Sequence, residues 1–315
     1  IYYDKEFGKH SVGLTLLQSA TGYHYEESSM AAEGIPLESA KWNALSKENV
    51  SLLDEWNSGL IEKQLLSYMF RVNYDYNNKY LLTVSGRWDG ASQLAEGNKW
   101  AFFPSAALGW RLDQEEFLKD VTWLNQLKFR LGVGVTGNSA IDPYQTKGAI
   151  VSLYYPFGSA LAPGYAASEP LIKDGAVAMA NKNLSWEKTT QYNIGLDYSV
   201  LNGRISGVLD FYTSRTTDLL MAMTIPSLNG YTNTYANVGK TSNIGVDITL
   251  NTVNVKTRDF EWSTSINAAW QKDKIDELAN GKEDDINNNW FIGQALGVIY
   301  GYECGGLWKE EDAAE

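Results

Sequence analysis

His10 and His24 are the only two histidines in this 315-residue chain, and an acid–base or nucleophilic site needs more than they offer. Catalysis requires a nucleophile held beside its base, a carboxylate pair or a set of metal ligands. His10 stands at the start of a strand pattern and His24 just past the end of one, so both read as interfacial or loop residues. The run Glu283-Asp284-Asp285, with Asn287 to Asn289, carries oxygen donors that suit Ca²⁺. It lacks the ordered alternate spacing of an EF-type loop and reads as a solvated loop. Gly132-Val-Gly134 and Gly305-Gly306 are not phosphate cradles, since no helix pattern follows either. The single Cys304 has no internal disulfide partner and is expected to be a buried, inert thiol. A net charge of -12 argues against a nucleic-acid partner. What remains for ligand contact is a set of aromatic side chains on long connections: Tyr154, Tyr155, Tyr231, Tyr235 and Trp290. No catalytic residue, cofactor or metal is expected.

The elements that must carry these residues are strands. Leu66, Tyr68, Phe70, Val72, Tyr74 and Tyr76 alternate with Ser67, Met69, Arg71, Asn73 and Asp75, a period of two that only an extended strand between unlike environments requires. Tyr80, Leu82, Val84, Gly86 and Trp88 then alternate with Leu81, Thr83, Ser85, Arg87 and Asp89. Pairing apolar face to apolar face sets Tyr76 beside Tyr80, Tyr74 beside Leu82, Val72 beside Val84, Phe70 beside Gly86 and Tyr68 beside Trp88, with Asn77, Asn78 and Lys79 as the turn. Arg71 and Arg87 point inward, where a wall carboxylate or another part of the protein would pair with them.

The aromatics sit at the ends of the apolar stripe. Tyr68 and Tyr76 are ~26 Å apart along a strand at ~3.3 Å per residue. Tilted by about 40°, that length spans about 20 Å along a membrane normal, close to the ~25 Å apolar band of an outer-membrane barrel with its aromatic girdles. Trp100 and Trp110 bracket a further strand, and Phe260, Trp262, Ile266, Ala268 and Trp270 repeat the pattern. A soluble β-sandwich also alternates, but it does not place tyrosine and tryptophan at both edges of one face. Mean hydropathy of -0.31, with no run of ~18–20 apolar residues, excludes spanning helices and is what a barrel shows when only alternate residues meet lipid.

Connections alternate between short and long. Asp4 to Gly8, Asn77 to Lys79, Asn202-Gly203 and Asn254 to Asp259 are short; Gly90 to Lys99 is intermediate. Asp113 to Asn125 reads as a connector with one or two helical turns. Thr21 to Glu62, Gly137 to Ser185, Thr216 to Asn237 and the segment from Asp273 onward are long. Tight turns at one end and long loops at the other describe periplasmic turns and extracellular loops. Within the first long connection, Leu37 to Asn57 has Ser51, Leu52, Leu53 and Trp56 at a spacing that suits a short helix over the barrel mouth, with loop packing as its plain and preferred reading. Asn202-Gly203 predicts a type I′ hairpin that sets Val200 against Ile205, Tyr198 against Gly207, Leu196 against Leu209 and Ile194 against Phe211. The whole is all-β, an antiparallel transmembrane β-barrel of about ten strands, and its ragged ends favour part of a larger ring.

The wording of the segments resembles the SusC/RagA-like TonB-dependent outer-membrane transporters of Gram-negative bacteria. The matching stretches are Arg71-Val-Asn-Tyr-Asp-Tyr-Asn-Asn-Lys-Tyr-Leu-Leu-Thr-Val-Ser-Gly-Arg-Trp-Asp-Gly90, Phe103-Pro-Ser-Ala-Ala-Leu-Gly-Trp-Arg111 and Gly132-Val-Gly-Val-Thr-Gly-Asn138. Leu184-Ser-Trp-Glu-Lys-Thr-Thr-Gln-Tyr-Asn-Ile-Gly-Leu-Asp197 and Asn237-Val-Gly-Lys-Thr-Ser-Asn-Ile-Gly-Val-Asp-Ile-Thr-Leu250 follow in family order. After Asp89-Gly90 the chain departs from the family's small polar residues, Arg and Phe, with Ala91, Ser92, Gln93 and Leu94. The role of that Arg is therefore not carried over.

The resemblance implies that residues 1–315 are part of a barrel of about 22 strands, whose plug domain and closing strands lie outside this sequence. It also implies a SusD-like surface lipoprotein as lid and coupling to a TonB-ExbB-ExbD complex. The implied cargo is an oligosaccharide first and a peptide second, bound by the five aromatic candidates, and the chain is expected not to be an enzyme. A non-transporting binding or adhesion barrel and a soluble carbohydrate-binding sandwich are the alternatives.

Overall fold

The computed structural model describes residues 1–34, 52–147, 151–158, 160–166, 178–226 and 233–301, with the isolated positions 39, 41, 43, 228 and 231. Its strands are β1 (Tyr2–Phe7), β2 (His10–Glu33), β3 (Leu52–Tyr76), β4 (Tyr80–Ala91), β5 (Trp100–Arg111), β6 (Leu124–Asn138), β7 (Val151–Phe157), β8 (Ala160–Ala166), β9 (Ala178–Met179), β10 (Glu187–Val200), β11 (Ile205–Thr217), β12 (Leu220–Thr224), β13 (Asn233–Asn237), β14 (Lys240–Lys256) and β15 (Glu261–Glu277). Ten of them form one sheet in the order β1-β2-β3-β4-β5-β6-β10-β11-β14-β15, every neighbouring pair antiparallel. The others decorate the long connections: a β7–β8 hairpin and a small β12-β13-β9 sheet.

The expected registers are those observed. Tyr76 pairs Tyr80, Val72 pairs Val84 and Tyr68 pairs Trp88; Val200 pairs Ile205, Leu196 pairs Leu209 and Ile194 pairs Phe211. The Asn202-Gly203 turn has the positive φ values of type I′, 56° and 78°, but Leu201 before it is also left-handed at 56°. That strained residue is braced from the next hairpin, where the Trp123 carbonyl accepts the Leu201 N–H at 2.7 Å and Asn125 Oδ1 accepts the Gly203 N–H at 3.1 Å.

The sheet is built inside out. On its outer face Trp88, Leu108 and Trp270 are 55–56% exposed, a display that water would penalise and lipid does not. Aromatic rings border this face at both ends. Trp100 lies 6.2 Å from Tyr68 and 5.9 Å from Trp88 at the long-loop end, while Tyr80 lies 6.4 Å from Tyr76 and 6.5 Å from Trp110 at the turn end. Two 3-10 turns, Leu112–Gln114 and Glu116–Leu118, occupy the β5–β6 connector. Between them Glu115 accepts hydrogen bonds from Trp110 Nε1 at 3.0 Å, Tyr80 Oη at 2.8 Å and Lys79 Nζ at 3.2 Å. These donors hold its carboxyl below the usual carboxylate range and anchor the turn-end girdle at the water boundary.

Three expectations are corrected. Leu52, Leu53 and Trp56 are not helical; they extend β3 and pair with Glu33, Ala32 and Met30, because the β2–β3 ladder continues far past the apolar band and satisfies the backbone without a helix. Most of the remainder of 37–57 lies outside the described residues. His24 is therefore a strand residue, not a loop residue. The Asp4 to Gly8 connection shrinks to Gly8-Lys9, since β1 pairs through Phe7 with His10. Cys304 falls outside the described residues.

A charge placed in the middle of the outer face tests its assignment. Val72→Arg in the full-length protein is expected to lower stability by roughly 2–4 kcal/mol, as for Arg near a bilayer midplane. Urea unfolding in lipid vesicles reads it, and an unchanged stability would remove Val72 from the lipid face.

Candidate functional site

The polar face of the sheet is a wall of paired groups. In a row across the strands, Gly109 pairs Arg130, Arg130 pairs Gly195, Gly195 pairs Asp210 and Asp210 pairs Asp247. The Arg130 guanidinium reaches over β10 to Asp210, 3.0 Å away, and also meets Asp197 at 2.8 Å. Gly195 leaves the room for this placement: a Cβ there would lie 2.6 Å from the guanidinium carbon and from Asp210 Oδ1. The guanidinium thus offsets the repulsion of directly opposed Asp210 and Asp247. Nearer the long loops, Arg87 donates to both oxygens of Asp89 at 2.8 Å and to Ser67 Oγ at 2.8 Å, so it pairs with a wall carboxylate.

At the long-loop end this polar face acquires an apolar plate. Ala91, Leu94, Phe103, Ile141, Leu184 and Trp186 are buried together, with Leu65, Ala101, Val135, Leu220 and Tyr235 packed around them. Phe103 meets Trp186 edge-on with centroids 5.2 Å apart. The Phe103 ring occupies the space a side chain on Gly137 would need, its nearest carbon 2.0 Å from where that Cβ would be. Trp186 Nε1 donates to the Lys99 carbonyl at 2.9 Å, and the Ala95 N–H donates to the Leu184 carbonyl at 3.1 Å. The plate therefore seats the 92–99 connection and, through Ile141, Leu184 and Trp186, the two ends of the 139–186 connection against the wall. Phe103 carried a signal of this in the sequence: it is an aromatic residue on the inward, mostly polar register.

The five aromatic candidates are distributed over three connections. Tyr154 and Tyr155 lie on β7, backbone-paired with Pro163 and Ala162; their side chains are outside the described residues. Tyr235 is half-buried on β13 and packs on the plate, while its carbonyl accepts from Asn181 Nδ2 at 2.8 Å. Tyr231 is half-buried just before β13. Trp290 is half-buried and forms a backbone bridge with Asp285, whose carboxylate caps the following 3-10 turn Ile286–Asn288. In the same segment Asp284 Oδ1 accepts the Ile292 N–H at 2.7 Å, so the acidic run serves backbone capping.

Two aromatic residues escaped the sequence reading. Tyr23 and Tyr25 stand on the projecting part of β2, and the alternation Tyr23, Tyr25, Glu27 against His24, Glu26 was the available signal. His24 lies across from Glu62, with Nδ1 2.9 Å from Glu62 Oε1 and Nε2 3.1 Å from Glu26 Oε1. The bond to Glu62, then that to Glu26, raises the His24 pKa above its ordinary value.

Residues 4–306 match the family model for the TonB dependent receptor-like β-barrel. The chain belongs to this family. The barrel is 32% identical over 321 residues to TonB-dependent receptor P3 of Formosa agariphila, covering 98% of this chain and 31% of that protein. It is 38% identical over 255 residues to TonB-dependent receptor SusC of Bacteroides thetaiotaomicron, covering 78% of this chain and 24% of SusC. Among solved structures, the RagAB peptide importer in its open-open state superposes with a TM-score of 0.80 at 25% identity, covering 93% of this chain and 31% of that one. The receptor barrel thus spans about a quarter to a third of the length of these relatives. It is a partial outer-membrane β-barrel of the SusC-like group, with long extracellular connections and short periplasmic turns.

Two outcomes follow from this geometry. Trp186→Ala removes a buried ring worth about 3–5 kcal/mol of packing; protease should then cut within 139–186 faster while the heat-resistant migration of the barrel persists. For His24 the raised pKa means that its ionic contribution is full below about 6.5, its unperturbed pKa, and is lost as pH rises through the raised value. Protease sensitivity of the β2–β3 hairpin should increase over that window, and His24→Gln should abolish the pH dependence.

Proposed function

We propose that the full-length protein imports nutrients across the outer membrane by TonB-dependent transport, with an oligosaccharide as cargo, and that it is not an enzyme. The observation that carries this reading is the receptor wall itself. A lipid-facing exterior encloses a polar face with paired charges, and long connections bearing Tyr231, Tyr235 and Trp290 stand at the extracellular end. The 38% identity to SusC supports the assignment. Residues 1–315 are read as part of the barrel domain, with a plug and the remaining strands supplied by the rest of the protein, whose relatives are about three to four times longer. A SusD-like lipoprotein would cap the extracellular mouth, and the TonB-ExbB-ExbD complex would supply energy through the plug-bearing part. Tyr154, Tyr155, Tyr231, Tyr235 and Trp290 are proposed to contact cargo, since aromatic faces stack on sugar rings.

Peptide cargo is the second reading, favoured by the superposition on the RagAB peptide importer. Cells carrying the full-length gene, offered fluorescent glucan, fructan and mannan oligosaccharides and a labelled casein digest, separate the two. Uptake of one oligosaccharide class that is lost on deleting this gene or tonB is expected. Peptide uptake alone would favour the second reading, and uptake of the oligosaccharide surviving both deletions would overturn the transport role.

A further inference from the structure

The β2–β3 hairpin outgrows the sheet that carries it. β4 stops pairing with β3 at Leu65, opposite Ala91, whereas β2 and β3 stay paired to Glu33 and Leu52. Among the described residues, a two-stranded ribbon therefore projects from the extracellular end. Its faces continue those of the wall. Leu65 packs on the inner plate, and Lys63 and Ile61, two and four residues on, share that inner face with their partners Tyr23 and Tyr25. Lys63 and Ile61 stand five and seven residues beyond girdle residue Tyr68, ~16–23 Å along the strand.

Tyr23 and Tyr25 are 46% and 41% exposed, with ring centroids 6.5 Å apart and planes within 14° of parallel. Each ring has a charged neighbour. Lys63 Nζ sits 4.8 Å from the Tyr23 ring centroid, and Tyr25 Oη donates to Glu27 Oε2 at 2.8 Å. On the opposite face His24 ties the two strands together through Glu62. Two nearly parallel, water-exposed rings flanked by an ammonium and a carboxylate match the chemistry of a sugar. Pyranose or furanose rings offer apolar C–H faces to aromatic rings, and their hydroxyls accept from lysine and donate to glutamate.

We propose that Tyr23 and Tyr25, with Lys63 and Glu27, form an oligosaccharide-stacking platform on the inner face of the projecting ribbon, outside the membrane and ahead of the lumen. It rests on the glycan reading above and adds a first docking point to it. A peptide would instead use the ribbon's backbone edges, which need neither ring.

The test uses the purified full-length protein and the same glucan, fructan and mannan oligosaccharides, with binding read by calorimetry. Tyr23→Ala/Tyr25→Ala is expected to weaken binding of the recognised oligosaccharide roughly tenfold or more. Tyr25→Phe, which keeps the ring and loses the bond to Glu27, should weaken binding less than the double variant does. Heat-resistant migration of each variant confirms that the barrel has formed. Unchanged oligosaccharide affinity in the double variant would overturn the platform and leave the glycan reading standing. Binding of casein peptides but of no oligosaccharide by the unsubstituted protein would overturn both.

Discussion

A strand crossing lipid has no water to satisfy its N–H and C=O groups, so each must bond to a neighbouring strand. The ten-stranded antiparallel ladder is the direct answer to that constraint. Once the ladder exists, its pleat sends successive side chains to opposite faces, and one face must tolerate lipid while the other tolerates water. The apolar residues of this chain consequently lie mostly on the outside, from Phe70 and Val84 to Ile248 and Ile266. Tyrosine and tryptophan gather where the ladder passes through the interface, and Glu115 fastens one such group to the periplasmic connector.

The inner face meets a different demand. Charges placed toward a confined polar space need partners, and the cheapest partners are on adjacent strands. Arg130 serves three strands at once because Gly195 leaves room for its guanidinium to cross β10. The same device recurs higher up, where Gly137 leaves room for the Phe103 ring and so lets an aromatic residue enter a polar register. Around that ring the wall grows a small dry core, and the connections it seats gain the fixed positions that a ladder alone would not give them.

Residue alternation made the hairpin registers legible, because a slip of one residue would exchange the lipid and lumen faces of a whole strand. The girdles were legible for the same reason. The misread segment is instructive: residues 52–56 carry apolar side chains at spacings compatible with a helix, and no lipid face disciplines them beyond the membrane. Their strand state comes from pairing with Met30 to Glu33, a partner distant in sequence. The same misreading hid Tyr23 and Tyr25, which look like loop aromatics until the ribbon places them on one face.

By itself, then, the sequence determined the membrane-crossing strands, their facing, their registers across short turns and the resemblance to an outer-membrane receptor family. Each of these follows from local periodicity, turn chemistry or the wording of wall segments. Only the tertiary structure decided which inward charges meet, that Tyr235 would pack on a buried plate with Phe103 and Trp186, and that β2 and β3 would run on together past the end of β4. Those outcomes depend on groups tens of residues apart arriving at the same rung of the ladder, and nothing in a local pattern encodes that meeting.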